Sequence, residues 1–109
     1  MIKYLENVDP KDLDKKLQKA LFYLDKASNL EIICTSGLRT PEHNAEIGGD
    51  AKSSHLEGLA VDFSCLESNM RFWLIYWALI AGFKRIGIAK DHIHLDLNTK
   101  KQQNIIFFE

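Results

Sequence analysis

A carboxylate in the middle of an apolar run constrains this chain more than any other feature. In Leu59–Cys65 (LAVDFSC) a strand's pleat puts Ala60, Asp62 and Ser64 on one face and Leu59, Val61 and Phe63 on the other. Burying an unpaired carboxylate costs several kcal/mol. Asp62 therefore needs a cation, a set of N–H donors or a metal as its partner. The plainest of these is a structural carboxylate holding loop N–H groups.

The remaining pattern alternates helix and strand. From Pro10 to Leu30, Leu13, Leu17, Ala20, Leu21, Leu24 and Ala27 recur at helical spacing, with Asp9 as N-cap and Pro10 at the first helical position. Glu31–Ser36 (EIICTS) is a short β-branched run stopped by Gly37, which predicts a buried strand. Residues 37–58 hold Gly37, Pro41, Asn44, Gly48, Gly49, Asp50, Ser53, Ser54 and Gly58 and show no period beyond a helical turn over Pro41–Ile47. A loop of about 20 residues inside a small domain is more often functional than idle. Beyond Leu59–Cys65 the pattern predicts a helix over Glu67–Ala81, ending at Gly82. Strands come next over Arg85–Ala89 and Ile93–Leu97, and the apolar tail Ile105–Phe108 docks as a last strand or against a helix. Trp73 and Trp77, four apart on that helix, are assigned to the core rather than to a sugar-stacking platform.

The 109 residues amount to one domain, large enough to hold a core unaided. Lys and Arg number 14 against 15 Asp and Glu, which excludes a nucleic-acid binder working through bulk positive charge. Cys34 and Cys65 lie far apart in apolar stretches and read as buried free thiols. The first ten residues carry Lys3, Glu6 and Asp9 and no apolar stretch of a secretory signal, so synthesis in the cytoplasm is expected. The longest apolar run, Phe72–Phe83, falls short of the roughly 18 to 20 residues a membrane span needs and reads as a core helix.

Histidine and aspartate gather around the long loop. His55 precedes Asp62 across the Gly58 turn, close enough for both side chains to converge. In Asp91-His-Ile-His-Leu-Asp96, regular alternation puts His92, His94 and Asp96 on one strand face and Asp91 on the other. A lone strand histidine is most simply a satisfied core residue. Several imidazoles and carboxylates delivered by separate segments instead form the ligand set of a catalytic zinc site with one position open to water. His43, in PEHN, reads as a residue that locks the loop.

The stretch TSGLRTPEHNAEIGGDAKSSHLEGLAVDF, with DHIHLD some way beyond it, resembles the zinc D-Ala-D-Ala carboxypeptidase and L-alanyl-D-glutamate endopeptidase family of bacteria and phages, whose fold hedgehog signalling domains share. The resemblance rests on Ser36, Gly37 and Arg39 at a strand end, Ser53 and His55 followed by Asp62, and Asp91 three positions before His94. It implies that His55, Asp62 and His94 bind a single zinc ion, that Asp91 is general base and acid, and that Arg39 grips a substrate carboxylate or carbonyl. Ser36 and Ser54 are candidate donors to substrate. Because Asp91 has the wrong parity, His92 is a candidate proton-transfer or electrostatic partner, and Asp96 a candidate anchor for a ligand or for Arg39. If Asp91 faces solvent, His92 or Asp96 inherits the base role.

The expected fold is a small α+β domain, an antiparallel sheet with helices packed on one side and a zinc cleft on the other. The expected function is hydrolysis of peptidoglycan stem peptides or a D-Ala-D-Ala-type dipeptide by a monomer, without nucleic acid or membrane insertion. Release by lysis or carriage on a virion would bring such an enzyme to its substrate, as in a phage endolysin, and a cytosolic dipeptidase acting on imported or recycled fragments is the other setting. The alternative is a binding module of the same fold that keeps zinc without turnover.

Overall fold

The computed structural model describes residues 1–109. Its strands are β1 (Ile2–Tyr4), β2 (Ile32–Ser36), β3 (Ala60–Ser64), β4 (Arg85–Ile88), β5 (His92–Asp96) and β6 (Ile105–Phe108). Its helices are α1 (Lys15–Ser28), α2 (Pro41–Glu46) and α3 (Ser68–Ala81), with 3₁₀ turns at Pro10–Asp12 and Ser54–Glu57. All six strands join one sheet in the order β1-β2-β3-β5-β4-β6. The four central strands pair antiparallel, as expected. The edges depart from that expectation, because β1 runs parallel to β2 and β6 parallel to β4, so the sheet is mixed.

Strand alternation divides the sheet into two chemistries. Val61 and Phe63 of β3, Ile93 and Leu95 of β5, and Ile86 of β4 pack with Leu17, Leu21 and Leu24 of α1 and Leu74 and Ala78 of α3 into one apolar core. Each large side chain among them contributes roughly 1.5–3 kcal/mol on full burial. Cys34 and Cys65 are buried and unpaired, as read from their apolar settings, and burial pushes the Cys34 thiol up to about 12. No helix is long and apolar enough to cross a membrane.

Two helix assignments need correction. The predicted helix from Pro10 is broken at Leu13, which is extended. Asp9 caps only the 3₁₀ turn, and Asp14 caps α1 by accepting from the Lys16 N–H at 2.8 Å. The break lets the Asp14 N–H bond the Gly58 carbonyl at 2.9 Å, tying the start of α1 to the end of the long loop. The helix over 68–81 is only half a core helix, because a single sheet and α1 cover one side of it. Trp77 packs against the core, but Trp73 is 42% exposed in a ladder of edge-to-face rings running through Phe72, Trp73, Tyr76 and Trp77.

Candidate metal centre

The second face of the sheet assembles the site through register. On β3 and β5, Asp62 stands directly opposite His94, Ala60 opposite Asp96 and Ser64 opposite His92. Strand β2 pairs Cys34 with Phe63 but Ser36 with Asp62, so a bulge lies between them. A bulge reverses the parity of the residues beyond it. Ser36 is thereby brought beside Asp62, although Cys34, two residues earlier, belongs to the core.

The long loop brings the remaining groups back over this face. Thr40 caps α2 by accepting from the His43 N–H at 3.1 Å, and Ser53 caps the 3₁₀ turn that carries His55, accepting from the His55 N–H at 3.2 Å. The Arg39 N–H bonds the His55 carbonyl at 3.0 Å, so the two arms of the loop are stitched where the site needs them. His43, expected to lock the loop, stands exposed on α2. Asn44 does that work instead. Buried, it accepts from Arg39 Nη1 at 3.2 Å and donates through Nδ2 to the Asp50 carbonyl at 2.8 Å.

His55, Asp62 and His94 converge, all buried, each offering a ligand atom within 4.8 Å of the others. Asp62 Oδ1 lies 3.3 Å from His55 Nε2 and 3.0 Å from His94 Nδ1. The far nitrogens are already engaged. His55 Nδ1 faces the Gly37 carbonyl at 2.8 Å and His94 Nε2 faces Asp96 Oδ2 at 3.0 Å. A carbonyl or carboxylate can only accept, so both far nitrogens carry hydrogen and each near nitrogen is the one free to bind a metal. Two imidazoles and one carboxylate, oriented from behind and drawn from separate segments, suit zinc with a fourth position open.

The electrostatics agree. Burial pushes the Asp62 carboxyl up, but hydrogen bonds and charge from His55 and His94 outweigh it and hold the group well below the usual carboxylate range. For His94 burial works downward, and Asp62 and Asp96 overcome it to raise the ring to about 9. Asp96 is likewise pushed up by burial, yet His94, the Asn98 N–H and Ser54 bring it down to about 2. Without a metal, the buried cluster thus holds a His94 imidazolium between two carboxylates. A cation in place of the His94 Nδ1 proton preserves that balance.

Around this centre the other sequence-predicted residues divide. Arg39 Nη2 lies 3.5 Å from Asp62 Oδ2 and 3.3 Å from Ser36 Oγ, while its buried Nε has no partner. Ser54, a candidate substrate donor, is buried beneath the site, where its hydroxyl accepts from Asn98 Nδ2 at 3.2 Å. Asp96 takes the anchoring place behind His94, with Arg85 Nε 3.4 Å away as an ion pair. Asp91 points outward as its parity requires, with a side chain 72% exposed, and bonds His92 Nδ1 at 2.9 Å. His92 Nε2 turns inward, 3.9 Å from Asp62 Oδ2.

Sequence reasoning missed three contributors. Asn98 staples β5 to the His55 turn, its N–H bonding Asp96 Oδ1 at 2.7 Å and its side chain reaching Ser54 and Glu57. Arg85 opens β4 opposite Asp96, a charge at the start of a strand that was open to the same reasoning as Asp62. Glu109, just after β6, places Oε1 2.9 Å from His92 Nε2. Asp62, His92 and Glu109 form a second close cluster. It is the poorer metal site, because both nitrogens of His92 already face carboxylates and no lone pair is directed at a shared centre.

The chain matches the family model described as Peptidase M15 over residues 5–96, which takes in every strand of the sheet except the edges β1 and β6. No curated protein matches it.

Proposed function

The chain belongs to the peptidase M15 family, whose members are zinc-dependent peptidases, and from that premise we propose that it hydrolyses a peptide bond in peptidoglycan stem peptides. The observation that carries this reading is the convergence of His55, Asp62 and His94, with their far nitrogens tied to Gly37 and Asp96 and their open side flanked by Arg39 and His92.

His55 Nε2, Asp62 Oδ1 and His94 Nδ1 would hold the zinc. The ion supplies Lewis acidity to the scissile carbonyl and to water. The chain's own groups do the rest. His92, with Asp91 on Nδ1 and Glu109 on Nε2, carries hydrogen on both nitrogens and would border the open side as a cation that favours the negative charge developing on the substrate carbonyl. Arg39, anchored by Asn44 and Ser36, directs its guanidinium to a substrate carboxylate or carbonyl. Stem peptides, with their free carboxylates, suit a cleft edged by imidazole and guanidinium.

The test is mass spectrometry of a muropeptide digest by the zinc-loaded protein. New amine and carboxyl termini within or at the end of the stem support the proposal, and the fragment masses identify the bond. A folded, zinc-loaded protein that cuts neither stem peptides nor free D-Ala-D-Ala contradicts it and favours the non-catalytic binding module. Arg39→Ala should keep zinc and mainly raise KM, as expected when a binding contact is removed. Loss of zinc in that variant would contradict the role given to Arg39.

A further inference from the structure

The family match ends at residue 96, yet β6 lies against the site face. Phe107 pairs with Gly87, its ring 5.9 Å from that of His94. Two residues on, in strand alternation, Glu109 comes to the same face. Its N–H bonds the Ile88 carbonyl at 2.9 Å, fixing its backbone to β4. Its carboxylate then reaches inward, Oε1 2.9 Å from His92 Nε2 and Oε2 3.8 Å from His94 Nδ1.

We propose that Glu109 is a positioning residue of the site: with Asp91 on Nδ1 and Glu109 on Nε2, the His92 ring is clamped from both ends and held over the metal ligands. The inference rests on the catalytic reading of His92 above. His92 sits near the sheet's open side with 29% of its side chain exposed, and an imidazole held only through Nδ1 can swing about its side-chain torsions toward solvent. A second acceptor on a backbone-paired strand removes that freedom. The ring is thereby held beside the metal ligands, its Nε2 3.9 Å from Asp62 Oδ2. The ring must be fixed before substrate arrives for its charge to act on the reacting centre.

The experiment compares Glu109→Ala and Glu109→Gln with the wild type by zinc content, thermal unfolding, stem-peptide kinetics and the ring ¹⁵N resonances of His92 in the zinc-loaded protein. In Glu109→Ala, zinc content and melting temperature should hold, and KM should change little. Loss of a residue that orients a site group should lower kcat roughly ten- to a hundredfold, and the His92 ring signals should broaden or average. Glu109→Gln keeps an acceptor oxygen and should recover most of both. Unchanged kcat together with unchanged ring signals overturns the proposal, and so does loss of zinc or of stability in Glu109→Ala, which would make the carboxylate a ligand or a structural group. If the wild type cuts no peptide, the peptidase reading fails by itself. The ring signals then decide the clamp alone: broadening in Glu109→Ala upholds it and unchanged lines refute it.

Discussion

Each metal-facing nitrogen in this protein is set by what lies behind its ring. Gly37 supplies a carbonyl to His55 and Asp96 a carboxylate to His94. Asp96→Asn, which can present its amide nitrogen in place of an acceptor, should therefore weaken zinc binding roughly ten- to a hundredfold with the three ligands intact, measurable by competition with a chromogenic chelator. His55→Ala and His94→Ala should abolish zinc retention outright, and with it the rise in melting temperature that zinc gives the wild type. Asp62 was legible as a site residue because a carboxylate in an apolar strand needs a partner whatever the fold. The places of Ser54 and Asn98 were not legible, because Asn98 meets Ser54 and Glu57 across 44 and 41 residues of chain, on the other arm of the site. Nothing local distinguishes such residues from ordinary turn formers.

Strands carry this site more than loops do, and their packing leaves little slack. A Cβ added at Gly87 would lie 2.9 Å from the Phe107 ring and 3.0 Å from His94 Cβ. Gly87→Ala must push β6 outward or His94 off its place. Overpacking of this kind costs about 1–3 kcal/mol, to be read from urea unfolding, and zinc affinity should fall in the same variant. The central strands and all three helices could be read from periodicity and stop signals. Edge strand β1 escaped because three residues, Ile2–Tyr4, carry too short a pattern. Its parallel pairing, like that of β6, depends on a distant neighbour. The bulge between Cys34 and Ser36 is a property of pairing and is equally silent in the sequence, yet it is what brings Ser36 to Asp62. Geometry decided the error in α3 too. An apolar helix packed on one sheet has more apolar side chains than that sheet can cover, so Phe72, Trp73 and Tyr76 remain exposed.

At the scale of the molecule, the site's charges set how stability depends on pH. In the metal-free protein His94 is raised from 6.5 to about 9, so its contribution is whole below pH 6.5 and is lost as pH rises through about 9. Asp96 is lowered from 3.8 to about 2, so its contribution is present above pH 3.8 and is lost as pH falls through about 2. Asp62 shifts in the same direction as Asp96. The melting temperature of the metal-free chain should accordingly peak at mildly acid pH and decline on the alkaline side through the His94 range. Zinc should abolish the alkaline decline, because it binds the neutral ring, and its binding near pH 7 should release about one proton, detectable as a buffer-dependent heat in calorimetry. The account as a whole depends on the metal. Elemental analysis of the purified protein after zinc loading and desalting tests it most directly: the prediction is a single zinc per chain, absent from a folded Asp62→Ala variant. A wild-type chain that retains no zinc, or an Asp62→Ala chain that retains as much, would contradict it.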